Sequence, residues 1–218
     1  MTQLYARVQQ DSVAATANGQ WADVEATSRG ELIVIDFYAQ MVNEGRGFQL
    51  NIGTLTTPTV GDVVITNSAA EMCADAQLGM TVIPTQYDMS VNLGTGTLHE
   101  YAIKSAAAPS TAGTAFVPLP LITGGTAATT TARVAAAGAV SVPAELATTT
   151  RRHWSYSNPV AVAAGHSPGN ITWQPLRPPV IVGSSTGSCI YVQVAAATTG
   201  PSYFASLDYI ELATASIV

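Results

Sequence analysis

Charge is scarce in this 218-residue chain. Asp, Glu, Lys and Arg make up 10% of it, against about 25% in an ordinary globular protein. Lys104 is the only lysine, and Arg151-Arg152 is the only pair of adjacent basic residues. Binding nucleic acid through its phosphates needs clustered Lys and Arg. With a net charge of −6, the sequence predicts no nucleic-acid partner. Cysteine is scarcer still. Cys73 and Cys189 are far apart, form no CxxC unit and match no zinc-type spacing with histidine. Both read as buried thiols, with no metal and no cofactor expected. No apolar run approaches the ~18 residues of a membrane span, so no membrane partner is expected. The N-terminal stretch MTQLYARVQQDSVAATANGQ lacks the apolar core of a secretory signal. Synthesis in a cytoplasm is the expectation, and the glycosylation tripeptide Asn170-Ile171-Thr172 is not expected to be used.

Catalytic signatures are missing as well. There is no G-x-S-x-G elbow and no Gly-rich loop leading into a helix to cradle phosphate. His99, His153 and His166 have no Cys, His or carboxylate at ligand spacing. Gly183-Ser184-Ser185-Thr186-Gly187 reads as a hairpin turn. Asp36, Asp88, Asp208 and Glu211 lie on predicted strands. A glycosidase would need two carboxyls to meet in a cleft, but ordinary outward positions explain these four. No catalytic residue is assigned and the chain reads as a non-enzyme.

What is present is a fold signal. With 47% apolar residues and few charges, the chain is too hydrophobic to stay disordered. In Glu31 to Ile52, Ile33, Ile35, Phe37, Ala39 and Met41 alternate with polar residues, then come turn formers at 43–47, then Phe48, Leu50 and Ile52 alternate with Gln49 and Asn51. Period-two alternation marks strands with one buried face, so this stretch predicts a hairpin. Its buried residues are expected to pack near Val192 and Ile210. Val63 to Ile65 begins another strand. Thr66 to Gly79 reads as a loop or a single helical turn, with Ser68 and Glu71 at capping-box spacing. Met80 to Ile83 precedes Pro84, which predicts a bulge or an edge. Tyr87 to Leu93 is half-buried, and Leu98 to Lys104 is expected to pair with it as a hairpin. Strands return over His153–Tyr156, Val160–Ala164, Ile171–Gln174, Val180–Val182, Ser188–Ala197 and Tyr203–Ala213, separated by Gly, Pro and Thr turns.

Between them, residues 106–150 change character to Ala, Thr, Gly and Pro. Phe116 to Ile122 and Val140 to Leu146 still carry enough aliphatic residues for ordered packing on the body or on a neighbour. The predicted fold is all-β, a two-sheet antiparallel sandwich of jelly-roll type with one long Ala/Thr/Pro-rich insertion. Residues 1–30 form a lead-in segment. Residues 31–218 form a single domain with the insertion at about 106–150.

One cluster stands out from the polar background, Arg151-Arg152-His153-Trp154-Ser155-Tyr156. Arg, Trp and Tyr are enriched at interface cores, which favours a contact between subunits. The alternative is ligand stacking, with Trp154, Tyr156 and Trp173 as platforms for sugar rings.

Three pieces carry a resemblance: Ala76 to Tyr87 (AQLGMTVIPTQY), Gly113 to Gly125 (GTAFVPLPLITGG) and Pro179 to Leu212 (PVIVGSSTGSCIYVQVAAATTGPSYFASLDYIEL). They resemble structural proteins of phage particles. The last is similar to the closing strands of trimeric jelly-roll domains of the tumour-necrosis-factor-like type. About a third of the chain is covered, and no catalytic residue is carried over. The resemblance implies a capsid, decoration, spike or fibre subunit of a virion. Its partners would be copies of itself, as a homo-trimer, and other virion proteins. A receptor- or carbohydrate-binding spike module, meeting a host glycan, is the alternative it leaves open.

Overall fold

The computed structural model describes residues 36–54, 56–64, 66, 70–93, 98–106, 108–135, 140–142, 152–157, 170–183, 188–196 and 202–217, with backbone alone at 92, 93, 98–102, 152–157 and 188–196. A helix, α1 (Phe37–Asn43), comes first. The strands that follow are β1 (Gly47–Ile52), β2 (Thr59–Val60), β3 (Met72–Ala76), β4 (Met80–Leu93) and β5 (Leu98–Ala106). Next come β6 (Thr111–Ala112), β7 (Thr114–Phe116), β8 (Leu119–Pro120), β9 (Thr131–Val134) and β10 (Val140–Ser141). The chain continues through β11 (Arg152–Ser157), β12 (Asn170–Trp173), β13 (Ile181–Val182), β14 (Ser188–Ala196) and β15 (Ser202–Ala213). The all-β expectation is met.

Two antiparallel sheets dominate. A seven-stranded sheet runs β12-β4-β15-β1-β8, with β13 also on β4 and β2 on β15. A six-stranded sheet runs β11-β5-β14-β3-β9-β7. One cluster of buried side chains draws on both: Phe48, Leu50, Tyr87 and Leu207 from the first, Met72, Ala74, Ile103 and Val134 from the second. The alternation of β1 works as expected, with Phe48, Leu50 and Ile52 buried and Gln49 and Asn51 half-buried.

The first arm of the predicted hairpin is instead α1. Asp36 caps it, its carboxyl accepting from the Tyr38 amide at 2.9 Å and the Ala39 amide at 3.4 Å. Gly45, at φ +76°, ends it. The Gly45 amide donates to the Val42 carbonyl at 2.8 Å and the Arg46 amide to the Met41 carbonyl at 2.9 Å. That is the Schellman pairing, which needs a left-handed residue one place past the cap. The turn formers at 43–47 thus stop a helix and do not reverse a strand. Phe37 is 49% exposed and only Met41 is buried. Ile33 and Ile35 lie outside the described residues.

Other expectations shift too. Residues 72–76, read as loop or helical turn, form β3, a strand buried on both faces. Met72 and Ala74 face the shared core, while Cys73 joins Ala70, Ala106, Val140 and Val142 in a smaller cluster on the other side. A strand covered on both sides shows no alternation, which hid it. Leu98 to Lys104 lies in β5, but β5 pairs with β14 and β11 and not with β4. Consecutive strands therefore change sheets, at β4–β5 and again at β14–β15. Val63 and Val64 are exposed bends beyond a bridge at Asp62. The packing expected near Ile210 is corrected: β1 lies beside β15, with Phe48 opposite Tyr209, but Ile210 joins Met41 in a separate cluster on the other face of the sheet; the side chain of Val192 lies outside the described residues. Pro84 fulfils its reading, since the β4–β15 register shifts between Asp208 and Tyr209, where Pro84 lies opposite. The strand Val160–Ala164 and residues 143–146 fall outside the described residues.

The described residues of 106–142 contribute strands to both sheets. β9 pairs β3, β7 pairs β9 and β8 pairs β1. Two buried carboxyls fasten this stretch. Asp75 on β3 accepts from the Ser110 amide at 2.9 Å, the Ser110 hydroxyl at 2.6 Å and the Cys73 thiol at 3.3 Å. Glu211 on β15 accepts from the Thr129 amide at 2.9 Å, the Thr130 amide at 2.6 Å and the Thr130 hydroxyl. Hydrogen bonds to carboxyl groups are among the stronger ones, and here they replace an apolar anchor in a stretch short of large side chains.

Candidate functional site

The outer face of the seven-stranded sheet, opposite the shared core, carries a concavity. It is an open groove of about 530 Å³ crossing β1, β15, β4 and β12. Strand register places its lining in rows. Asn51, Ser206, Asp88 and Thr172 lie side by side on four successive strands. The next row is Phe204, Ser90 and Asn170. At the groove's border a third row holds Gln49, Asp208 and Gln86.

The two carboxyls of this face are held by amide side chains. The Gln49 Nε2 donates to Asp208 Oδ1 at 2.8 Å, and the Gln86 Nε2 donates to Asp88 Oδ2. Burial raises the pKa of Asp208; the Gln49 hydrogen bond opposes that and nearby Asp88 adds to it. Phe204 closes one end. Gly53, at φ +84°, sits beneath its ring, and a Cβ there would meet Phe204 Cδ1 at 2.9 Å. Glycine at 53 thus supplies both the left-handed backbone and the space for the ring.

Towards the other end of the same face the chemistry changes. Ile83, Ile210 and Leu212 have the same outward parity on β4 and β15, but α1 covers them with Met41 and Tyr38.

A separate polar cluster is buried. Glu71 is 2% exposed. Its carboxyl is pushed up to about 8, first by burial and then by nearby Asp62, with the Tyr203 hydroxyl and the Asp62 backbone pulling the other way. Tyr203 itself is driven well above its ordinary value by burial and by Glu71. Among the described residues no group of three His, Cys, Asp or Glu side chains is arranged to hold a metal.

The residues singled out from sequence fall elsewhere. Trp173 is 8% exposed and sits in the shared core beside β4. It is a packing residue and offers no ring face to a sugar, which corrects that part of the stacking set. Arg152, Trp154 and Tyr156 lie on β11 at the edge of the six-stranded sheet, with Trp154 opposite Tyr101. Their side chains, and Arg151 altogether, lie outside the described residues. His153 is also on β11, within the strand expected over His153–Tyr156. Of the four strand carboxyls, Asp88 and Asp208 do share one face. Asp36 caps α1 and Glu211 points inward to Thr129 and Thr130. The groove was missed because most of its polar residues are ordinary Asn, Ser and Thr; only strand register brings them together. Comparison with family models, with curated proteins and with solved structures finds no match for this chain.

Proposed function

We propose that this chain is a non-enzymatic structural subunit of a phage particle, a capsid or capsid-decorating protein that assembles with copies of itself and with other virion proteins. The distribution of charge and apolar surface carries this reading. Three of the few acidic residues, Glu71, Asp75 and Glu211, are buried, so they add no charge to the outer surface. Meanwhile Val117, Leu119 and Leu121 stand exposed in alternation on the segment containing β8, the edge of the seven-stranded sheet. Leu121 approaches Val42 of α1, both being within reach of a Cβ built at Gly47. Apolar groups on an open edge, with few charges to repel a partner, suit burial against another subunit.

The finer architecture belongs to the same proposal. β4 pairs β15 in one sheet while their chain neighbours β5 and β14 pair in the other. An antiparallel ribbon folded across two sheets is how a jelly roll is wound, and it supports that type of sandwich. The trimeric state and the phage origin rest on the resemblance of 76–87, 113–125 and 179–212.

Sedimentation of the full chain at micromolar concentration tests the assembly. A defined oligomer that falls apart in Leu119→Asp is expected. A monomer at all concentrations up to about 100 μM, well above typical dissociation constants for stable interfaces, would overturn it. The particle itself is sought by electron microscopy of the expressed protein and by peptide mapping of purified virions.

A further inference from the structure

We infer that the groove on the outer face of the seven-stranded sheet is a binding site for a neutral oligosaccharide, two or three sugar units long. The site does not depend on the particle reading: a monomer would bind the same ligand.

Shape comes first. Neighbouring strands are about 4.8 Å apart and alternate residues along a strand about 6.8 Å. Four strands and two rows therefore offer a shallow trough of roughly 14 by 7 Å, open along its length. Extended, flat ligands fit such a trough, whereas compact metabolites are usually enclosed on most sides.

Chemistry narrows the class. Asn51, Asn170, Ser90, Ser206 and Thr172 present amides and hydroxyls, each able to donate or accept. Asp88 adds a strong acceptor at the centre of its row, oriented by the Gln86 amide. Sugar hydroxyls both donate and accept, so they match a mixed surface. Phe204 supplies an apolar ring at one end, suited to the C–H face of a pyranose. It is kept there by the space over Gly53. Such a wall of polar hydrogen-bonding groups beside one apolar ring is a poor seat for an apolar peptide or a lipid chain. No basic side chain lines the groove, while Asp88 and Asp208 share its face. Phosphate, sulfate and carboxylated sugars would meet repulsion without compensation. Neutral saccharide is the class left with favourable contacts.

The experiment uses the full chain on an array of neutral hexose and N-acetylhexosamine oligosaccharides, printed beside sialylated and sulfated ones. At least one neutral glycan is expected to bind and the acidic ones not. Titration calorimetry with that glycan should show about a tenfold loss in Asp88→Asn, the worth of one hydrogen bond to a charged group. Melting temperature should stay unchanged. Ser206→Trp, which fills the trough, should abolish binding, and hydrogen exchange in the wild type should slow at 51–54 and 204–206 when the glycan is present. Binding to no neutral glycan, or to acidic glycans only, overturns the inference. So does binding that survives both Asp88→Asn and Ser206→Trp in folded protein. Loss in Trp154→Ala with both groove variants intact would place the sugar on β11 and likewise overturn it. A monomer that still binds neutral glycan would remove the subunit reading and leave the groove standing.

Discussion

The outer face of the seven-stranded sheet is one surface with two fates. On β15, Phe204 and Ser206 line the groove and Asp208 borders it, while Ile210 and Leu212 on the same side lie beneath α1. β4 divides in the same way, between Asp88 and Ser90 at one end and Ile83 at the other. The register shift at Asp208/Tyr209, opposite Pro84, separates the two. A strand's period says which side chains share a face. It does not say what lies over that face. Here a seven-residue helix, fixed by Asp36 and Gly45, turns half of a wet face into a satellite core.

The sharpest way to break this contrast is to put charge under the helix. Ile210→Asp buries a carboxyl with no donor, and should destabilise the fold by about 4 kcal/mol or more. Urea melts would check it, with retained stability refuting the cover by α1. Next in size is the fastening of 106–142. Glu211→Ala removes three hydrogen bonds and leaves the Thr129 and Thr130 amides without their acceptor. About 3 kcal/mol is expected, with Asp75→Ala similar, and faster hydrogen exchange confined to 108–135.

Third is a carboxyl that differs from those of the groove in being sealed. Glu71 keeps its proton in the folded state up to about pH 8, but ionises near its ordinary 4.5 when unfolded. Between those values the unfolded chain binds fewer protons, so stability falls as pH rises. It levels off below about 4.5 and above about 8. Glu71→Gln should flatten this part of the profile and raise stability at pH 8 relative to the wild type. Thermal melts across pH 4 to 9 are the check, and an unchanged slope in the variant would contradict the burial of Glu71. The smallest effect sharpens the contrast from the open side. Ser206→Ala, four residues before Ile210, should change stability by less than ~0.5 kcal/mol, because its side faces the groove and packs against no cover.

Much of the strand content was legible because half-buried strands advertise themselves. Phe48, Leu50 and Ile52, and Tyr87, Met89 and Val91, are buried as their alternation says. Two kinds of element were not. β3 has no alternation because residues from a distant stretch cover its second face. α1 has an apolar alternation at Phe37, Ala39 and Met41 that mimics a strand, and only its termini gave it away. Asp36 and Gly45 stand at N-cap and C′ spacing, and those signals outrank a short parity match. The groove was less legible than either. Asn51, Asp88, Thr172 and Ser206 come from four distant parts of the chain, and no local pattern marks them. Trp173 shows the converse: an aromatic residue conspicuous in sequence and spent on the core.

β15 carries a consequence for the order in which the molecule is built. It lies between β4 and β1 and also receives β2, and its Asp208 meets Gln49 from 159 residues away. Until β15 emerges from the ribosome, β1 and β4 have no neighbour between them, and Phe48, Leu50 and Tyr87 remain uncovered. Loop closure over such distances slows folding, and waiting edges are where chains join one another by mistake. A nascent chain stalled before Ser202 should therefore be the most aggregation-prone species in its synthesis, and the twelve residues of β15 the step that releases it.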